Sequence, residues 1–401
     1  MLRDRNTGWA NWFAPAVLPA ETERVKIALV TETFPPEVNG VAMTLGRLTA
    51  GLRRHGHEVE VIRPRQMKEA ADAPNPDGEW IVPGMPIPFY RSLRMGLPVT
   101  GKLKRRWRET RPDVVHVATE GPLGVSALRA ARVCGLPVTS TYHTNFHQYG
   151  SHYGIGIMKS LALGWMRCFH NATHCTLVPT HQAREELAAS GFERLQVLSR
   201  GVDINLFDPA RRSDELRASW GVAADAPVAV YVGRMAAEKN LALAVEAFEA
   251  FRSKAPNAHF VLVGDGPERA PVAQRHPEYH YAGMRRGEDL AAHYASADVF
   301  LFPSVTETFG NVVTEALASG LVVLGYDYAA TREHVRDGAN GFKVPMNDAE
   351  AFKRRAAELV EHRGDWPRIR AAARDTAQHL TWDAIVDQFA GYLGSAMESI
   401  R

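Results

Sequence analysis

Two glutamates separated by seven residues, Glu307 and Glu315, follow the apolar run Val299–Phe302. A helix is expected to start near Gly310, which puts Glu307 in the preceding loop and Glu315 in the second helical turn. Both carboxylates could accept hydrogen bonds from hydroxyl groups. The first N–H groups of the helix are further donors, at Phe309, Gly310, Asn311 and Val312. This combination suits a polyol attached to a diphosphate, with helix capping or solvation as the alternative roles.

Two cations follow another apolar run, Val228–Val232. Arg234 comes just after this run, and Lys239 opens the next helix-like stretch. An arginine can hold a phosphate through two parallel hydrogen bonds, and a lysine attracts it as a point charge. Isolated cations are usually solvated. A phosphate site is favoured here because both cations and the two glutamates are expected at the same sheet edge.

The first half of the chain has a glycine and a histidine at equivalent places. Gly40 ends a proline-rich loop after Val25–Val30, and a helix is expected from about Val41, so an anion could approach free N–H groups there. A simple turn is the alternative. His143 comes just past Val138–Ser140, where it could donate a hydrogen bond to a ligand.

No metal or other cofactor is expected. His143 and His147 are four residues apart, as are His170 and His174, but neither pair has the glutamate of a zinc-binding HExxH motif. The chain also lacks an Asp-x-Asp triplet. The segment Val263–Pro267 reads VGDGP, without the third glycine of a dinucleotide-binding fingerprint, so an NAD oxidoreductase is a poor interpretation.

Two sheets are needed to position these residues. Short β-branched runs alternate with helix-like stretches, the pattern of parallel sheets covered on both faces. The runs are Val25–Val30, Val59–Ile62, Val114–Val117, Val138–Ser140, Thr176–Val178, Val228–Val232, Phe260–Val263, Val299–Phe302 and Leu321–Leu324. We therefore predict an α/β protein of two doubly wound, Rossmann-like domains, whose ligands bind beyond the carboxyl ends of the strands.

The stretch Asp203–Ala226 has no strand-like run and marks the domain boundary. We predict a loose extension over residues 1–24, a first domain over 25–205 and a second domain over 206–380. Residues 381–401 should form a packing helix that could cross back to the first domain. Proline and glycine crowd Ala73–Gly101, which predicts a long irregular connection.

Composition places the chain among ordinary globular proteins, since its 401 residues are 45% hydrophobic and 23% charged. The net charge of +2 conceals two opposite halves. Residues 1–200 carry 25 Lys and Arg against 17 Asp and Glu, and the remainder carries 22 against 28. Few cysteines and no apolar run of about 20 residues favour a cytoplasmic protein without a membrane span.

The positive charge is concentrated in Arg91–Arg111, where apolar residues alternate with basic ones and Glu109 is the single acidic residue. A basic helix with an apolar stripe can lie on an anionic membrane, each cation near it contributing about 1 kcal/mol. The predicted membrane or acceptor patch comprises Lys102, Lys104, Arg105, Arg106, Trp107 and Arg108. A solvated helix face is the alternative, and nucleic acid is not expected because no recognition motif is present.

Jointly and in this order, the motifs resemble family 4 of the retaining glycosyltransferases, which have the GT-B fold of two Rossmann-like domains facing across a cleft. The resemblance covers nearly all of Val25–Ile400. Its motifs are PPxxNG at Pro35–Gly40, YHTNF at Tyr142–Phe146, GVD and LF within Gly201–Phe207, GR and EKN within Gly233–Asn240, VGDGP at Val263–Pro267, and the two glutamates. Arg200 stands where many relatives carry the Asn of an NGVD motif, which leaves the role of this position open.

The resemblance implies roles for the cations and for the first domain. Arg234 and Lys239 would clamp the diphosphate of a sugar donor. Gly40 would face the phosphate and the transferred sugar, and His143 would contact that sugar near the reaction centre.

It implies equally definite roles around the two glutamates. Glu307 and the backbone from Phe309 to Val312 would hold the sugar hydroxyls, Glu315 would bind the ribose, and the turn near Met284 would contact the base.

The implied activity is a metal-independent transfer of a hexose, with GDP-mannose as the preferred donor, to a lipid or glycolipid. The sequence most resembles bacterial enzymes of this kind, which predicts a cytoplasmic enzyme bound peripherally to the inner face of the cytoplasmic membrane. A UDP-sugar-dependent glucosyl- or galactosyltransferase, and a GT-B epimerase or hydrolase, stay open as alternatives. A binding scaffold without activity is disfavoured because neither the cations nor the glutamates are missing.

Overall fold

The computed structural model describes residues 24–37, 39–66, 69–70, 74–87, 90–143, 156–223 and 225–399. Its strands are β1 (Lys26–Val30), β2 (Glu58–Pro64), β3 (Glu79–Val82), β4 (Gly84–Ile87), β5 (Tyr90–Gly96), β6 (Val114–Val117), β7 (Val138–Thr141), β8 (Cys175–Val178), β9 (Leu195–Val197), β10 (Val228–Val232), β11 (His259–Val263), β12 (His280–Gly283), β13 (Val299–Phe302), β14 (Val322–Tyr326) and β15 (Phe342–Val344). Its helices are α1 (Gly40–Arg54), α2 (Thr100–Thr110), α3 (Pro122–Cys134), α4 (Gly156–His170), α5 (His181–Ala189), α6 (Asp214–Ser219), α7 (Leu241–Lys254), α8 (Arg269–Arg275), α9 (Gly287–Ala295), α10 (Asn311–Ala318), α11 (Ala329–His334), α12 (Ala349–Glu361), α13 (Trp366–Gln378) and α14 (Trp382–Glu398).

The chain forms two parallel sheets, which confirms the predicted α/β class. The first sheet has seven strands in the order β3-β2-β1-β6-β7-β8-β9, and the second has six in the order β12-β11-β10-β13-β14-β15. Helices cover both faces, so the central strands are buried throughout; every residue of β6, β10 and β13 is buried. Each strand order reverses direction once, between β1 and β6 and between β10 and β13. Ligands of doubly wound sheets bind at such switch points.

Each of the nine strand-like runs overlaps a strand, but the structure has six further strands that the sequence pattern did not indicate. Four of these, β3, β9, β12 and β15, lie at the edges of the two sheets. An edge strand is only partly covered and therefore needs no continuous apolar run. The other two, β4 and β5, form an antiparallel hairpin. The expectation of an irregular connection over Ala73–Gly101 was therefore wrong, since this segment contains three strands.

The C-terminal helix α14 packs on the first domain, although it follows the second domain in the chain. Its buried residues Ile385, Val386, Phe389 and Leu393 belong to the same apolar cluster as residues of β1 and α1. The ring of Phe389 also meets the ring of His116 edge to face, with centroids 4.8 Å apart. The helix thereby ties the end of the chain to the first sheet.

A second link between the domains joins α5 to α11. The backbone N–H of His181 donates to Glu333 Oε1 at 2.8 Å, and His181 Nδ1 lies 2.7 Å from Oε2 of the same carboxylate. Gln182 accepts a hydrogen bond from the backbone of Ala329 at 3.4 Å.

Within the described ranges, no helix combines the length and apolar character needed to cross a bilayer.

Candidate active site

Site residues of the second domain lie on both sides of the switch point between β10 and β13. Arg234 and Lys239 follow β10, and Glu307 follows β13, so parallel strands carry all three to the same sheet edge. The two adjoining loops are joined further by Thr306, whose hydroxyl donates to the carbonyl of Glu238 at 2.9 Å.

Lys239 and Glu307 form a direct ion pair. Lys239 Nζ donates to Glu307 Oε1 at 2.7 Å and to the carbonyl of Thr306 at 2.8 Å. The side chains are only 21% and 15% exposed, so solvent screens this pair weakly. Both residues were predicted from their motifs, but their contact was not. This contact places a cation and a hydrogen-bond acceptor at one point of the site.

Arg234 is far more accessible than Lys239. Its side chain is 67% exposed and meets Glu238 at 3.1 Å, an i, i+4 pair. An exposed pair of this kind adds little stability, which leaves the guanidinium free to exchange partners and to contact an anion.

The Glu307 loop is held rigidly in front of α10. Ser304 donates to Oε1 of Glu307, and Tyr328 donates to its carbonyl oxygen, both at 2.8 Å. Gly310 caps the helix at φ 93°, a left-handed conformation that favours glycine. Phe309 is buried in the core, so its backbone is the part available to a ligand. The free N–H groups at the start of α10 also include those of Asn311 and Val312.

Glu315 is a buried carboxyl group one turn further along α10. Burial raises its pKa to about 7, against the opposing effect of a hydrogen bond from Tyr294. That hydroxyl donates to Glu315 Oε2 at 3.0 Å. Tyr294 was not predicted as a site residue, because it lies 21 positions earlier on α9 and reaches Glu315 only through packing.

Met284 follows β12 and is 62% exposed, beside the glycine-rich turn after β11. In that turn, a Cβ on Gly264 would lie 1.9 Å from the carbonyl oxygen of Gly233, and one on Gly266 would lie 2.3 Å from that of Met235. The two glycines therefore let the loops after β10 and β11 pack together. This contact accounts for the GxG pattern without a dinucleotide.

In the first domain, Gly40 opens α1 at the switch point beside β1. Asn39 caps this helix by accepting a hydrogen bond from the N–H of Ala42 at 2.9 Å, and it donates to Thr33 at 2.8 Å. Among the described residues, and apart from the adjoining backbone, no atom lies within 4 Å of the place where a Cβ on Gly40 would be. The backbone at this helix start is thus open to a ligand.

His143 follows β7 and is bonded to Arg200. Arg200 Nη2 lies 3.0 Å from His143 Nδ1, and the arginine is 5% exposed. Burial, followed by the charge of Arg200, holds the pKa of His143 well below its ordinary value. His143 is therefore neutral and can act as a hydrogen-bond donor. His147, which was weighed with His143 as a metal-binding pair and disfavoured, lies outside the described residues, as do residues 1–23 of the predicted extension.

The predicted patch on α2 needs a correction. Leu103 and Trp107 form the apolar stripe, but they are 0% and 1% exposed and pack in the first domain's core. Arg106 pairs with Glu60 and stacks over Trp80, 4.8 Å from its ring centroid. An amphipathic helix buries its stripe against protein as readily as against lipid. Trp107 and Arg106 are therefore not part of an exposed membrane or acceptor patch.

Four cations of the patch stay accessible to solvent or partly so. They are Lys102, Lys104, Arg105 and Arg108. Within the described part of the chain, none of them pairs with a carboxylate. They form a basic helix face in the first domain, with Lys102 nearest the carboxyl edge of the sheet because α2 leads into the amino end of β6.

Among the described residues, one cluster has the ligand types of a metal site: Glu249, His276 and Glu278. Arg252 donates to both of its carboxylates, at 2.6 and 3.3 Å. Both carboxylates thus already have a cationic partner, in a surface network on α7 and the segment after α8. That the reaction proceeds without a metal stays a prediction.

Comparisons with known proteins agree with this geometry. Residues 38–206 match Glycosyltransferase Family 4, and residues 226–362 match Glycosyl transferases group 1. A GDP-mannose-dependent alpha-mannosyltransferase of Mycobacterium tuberculosis is 35% identical over 373 residues, 92% of this chain and 96% of that protein. The alpha-monoglucosyldiacylglycerol synthase of Acholeplasma laidlawii is 30% identical over 84% of this chain and 87% of its own.

Solved structures show the same architecture at lower identity. Sucrose-phosphate synthase from Thermosynechococcus elongatus superposes with a TM-score of 0.73 at 19% identity, over 94% of this chain and 100% of its own. Anabaena HepE, in complex with UDP and glucose, gives 0.68 at 19% identity, over 93% and 100%. The fold is GT-B, as expected. Together with the identity over nearly the whole chain, this shows that the protein belongs to glycosyltransferase family 4.

Proposed function

We propose that this glycosyltransferase moves mannose from GDP-mannose to a lipid or glycolipid, with retention of configuration at the sugar carbon. The observation that carries the donor half of the proposal is the arrangement around Lys239 and Glu307, which puts a cation and a carboxylate beside the open N-terminus of α10. Phosphate oxygens would replace the lysine's present contacts, and sugar hydroxyls would donate to the carboxylate.

The choice of donor and acceptor rests on the relatives. The mannosyltransferases from Mycobacterium tuberculosis and Mycolicibacterium smegmatis are both named as GDP-mannose-dependent, and each is 35% identical to this chain. The relative from Acholeplasma laidlawii is named as a synthase of a glucosyldiacylglycerol, a lipid product. These names favour GDP-mannose and a lipid acceptor, and they keep a glucosyltransferase as the second candidate.

In the proposed reaction, the bond from the sugar carbon to the diphosphate oxygen breaks while the acceptor oxygen attacks from the same face. The acceptor proton passes to the departing phosphate oxygen. Arg234 and Lys239 stabilise the negative charge that develops on that leaving group. Glu307 holds the sugar, Glu315 binds the ribose, and His143 donates to the sugar from the first domain. No side chain needs to act as nucleophile.

The acceptor would approach along the first domain. Of the four cations of α2, Lys102 is nearest the carboxyl edge of the first sheet, the edge at which Gly40 lies. Each of the four could add about 1 kcal/mol of attraction to an anionic membrane. A peripheral position on the cytoplasmic membrane follows from this part of the proposal.

The test is a comparison of donors. Thermal unfolding is followed with GDP-mannose, UDP-glucose, UDP-galactose, GDP and UDP, because a ligand that binds the folded state raises the melting temperature. GDP-mannose and GDP should raise it most, and mannose transfer to extracted lipid should follow. A larger shift with UDP-glucose, together with glucosyl transfer, would replace mannose by glucose in the proposal. If the sugar nucleotide is cleaved as fast without a lipid acceptor as with one, the enzyme is instead a hydrolase.

A further inference from the structure

Arg200 is a buried cation without a buried anion beside it. Its guanidinium is 5% exposed, and within the described residues no carboxylate lies within ion-pair distance of it. The segment 144–155, which follows His143 in the chain, contains no acidic residue either. Burial lowers the pKa of Arg200 to about 10, which still leaves it charged at neutral pH. Burying an unpaired charge costs free energy. A buried arginine at this position is therefore better explained by a functional role than by stability.

The hydrogen bond between Arg200 and His143 fixes where the imidazole proton lies. A guanidinium has donors and no acceptor, so at 3.0 Å His143 Nδ1 must offer its lone pair. The neutral ring then carries its proton on Nε2. Within the described residues, this Nε2 is buried and has no hydrogen-bond partner. A buried donor without a partner is rare in folded proteins, and a ligand oxygen would satisfy it.

The neighbouring buried histidines, His116 and His170, are bonded to hydroxyl groups, whereas His143 contacts a cation. Nε2 of His170 also has no hydrogen-bond partner among the described residues, but its Nδ1 lies 2.9 Å from Ser140 Oγ. His116 is held by two hydroxyls, with Nδ1 2.9 Å from Thr139 and Nε2 2.9 Å from Thr141. A hydroxyl can donate or accept, so such contacts permit either tautomer. A guanidinium can only donate, so its contact with His143 permits a single tautomer.

We infer that Arg200 is a positioning residue for sugar transfer, because it locks His143 in the tautomer that presents an Nε2–H donor to the transferred sugar. The inference rests on the proposed function in one respect, namely that the oxygen accepting the hydrogen bond from Nε2 belongs to the transferred sugar. The lock itself is a property of the free protein, and it can be measured without any substrate.

The first experiment measures the tautomer. Protein labelled with ¹⁵N-histidine is examined by NMR, and the His143 signals are assigned by their absence in His143→Gln. Protonated and bare ring nitrogens have well-separated shifts, so the expected result is a bare Nδ1 and a protonated Nε2. Arg200→Lys keeps a side chain that can only donate and should preserve this pattern, whereas Arg200→Met should mix the tautomers. A protonated Nδ1 in the wild type would overturn the inference.

A matched control separates positioning from folding. Arg217 is another buried arginine, 3% exposed, and it donates to the carbonyls of Ser296 and Ala226 in the second domain. Arg217→Met should lower the melting temperature and leave the His143 signals unchanged. A change of those signals in this control equal to that in Arg200→Met would mean that general loosening moves them, and would count against the lock.

The second experiment measures the consequence for catalysis. Arg200→Met should lower kcat by about 10-fold or more, with a smaller change in KM for the donor. The reason is that a misplaced His143 imidazole would slow the transfer step more than it would weaken donor binding. Arg200→Lys, which can only donate to His143, should recover most of kcat. In a His143→Ala background, Arg200→Met should cost little, since coupled residues are non-additive. Equal losses in both backgrounds would overturn the positioning role. If no nucleotide sugar is turned over, the proposed function fails, while the NMR result still decides the tautomer.

Discussion

Lys239 Nζ lies 2.7 Å from Glu307 Oε1, across the point where the strand order of the second sheet reverses. The lysine ends a short turn after β10, and the glutamate lies in the loop after β13, 68 positions later. In this contact each charge satisfies the other. When a sugar nucleotide binds, its diphosphate would contact Lys239 and its sugar would contact Glu307. Each residue would then exchange its present partner for one on the ligand, so that neither charge is buried alone.

Removal of either donor-site cation should reduce catalysis. We expect Arg234→Ala and Lys239→Ala each to lower turnover at least ~100-fold, as for the loss of other preorganised electrostatic groups. Only Lys239→Ala should also lower the melting temperature, because it removes an ion pair with the mostly buried Glu307, whereas the pair of Arg234 is exposed. Lys353→Ala, which removes an i, i+3 surface pair with Glu350, is the control. Near-normal turnover in both variants would refute the diphosphate clamp.

Gly40→Ala should separate stability from function. Space for the added methyl group is open, and alanine is preferred to glycine within a helix by about 1 kcal/mol, so unfolding should occur at the same or a higher temperature. The methyl group would nevertheless occupy the approach of a phosphate to α1, and donor affinity should fall about 10-fold. Gly394→Ala, at an open place in α14, should leave affinity unchanged. An unaltered KM for Gly40→Ala would remove this glycine from the site.

The buried carboxyl group of Glu315 predicts a pH dependence of stability. Its pKa rises from 4.5 to about 7 on folding, so between these values the folded protein holds a proton that the unfolded chain has released. The stabilising effect is complete below pH 4.5 and is lost as the pH rises through about 7.

Glu315→Gln cannot titrate, so the melting temperature of the wild type relative to this variant should fall by roughly 5 °C between pH 5 and pH 8. Burial also raises the pKa of Glu32 to about 7, but Glu32 is present in both proteins and its effect cancels. A difference that stays constant over this pH range would contradict the buried, protonated state of Glu315.

The basic face of α2 can be tested apart from the helix's apolar side. Replacement of Lys102, Lys104, Arg105 and Arg108 by Ser should abolish binding to vesicles of anionic phospholipid, and wild-type binding should weaken as salt rises. Trp107→Ala should cost about 3–5 kcal/mol of stability, since it opens a cavity in the core, without weakening vesicle binding by the folded protein. If the fourfold variant binds as well as the wild type, these cations are solvated only.

Much of the fold could be predicted because its central strands are buried on both faces. Such strands require unbroken apolar runs, and Val114–Val117, Val228–Val232 and Val299–Phe302 coincide with β6, β10 and β13. The turns after these strands can also be recognised in the sequence, because loop residues such as Arg234 and Glu307 end the apolar run at a strand's carboxyl end. Order along the chain was enough to bring these residues to one sheet edge.

The sequence by itself therefore determined two parallel sheets and the sheet edge at which the site residues lie. Tertiary structure decided which of those residues touch: Lys239 with Glu307, Glu315 with Tyr294, and Arg200 with His143. It also turned the apolar stripe of α2 inward. These contacts join positions up to 68 residues apart, and they depend on how elements pack, because local periodicity shows that a face is apolar without showing what covers it.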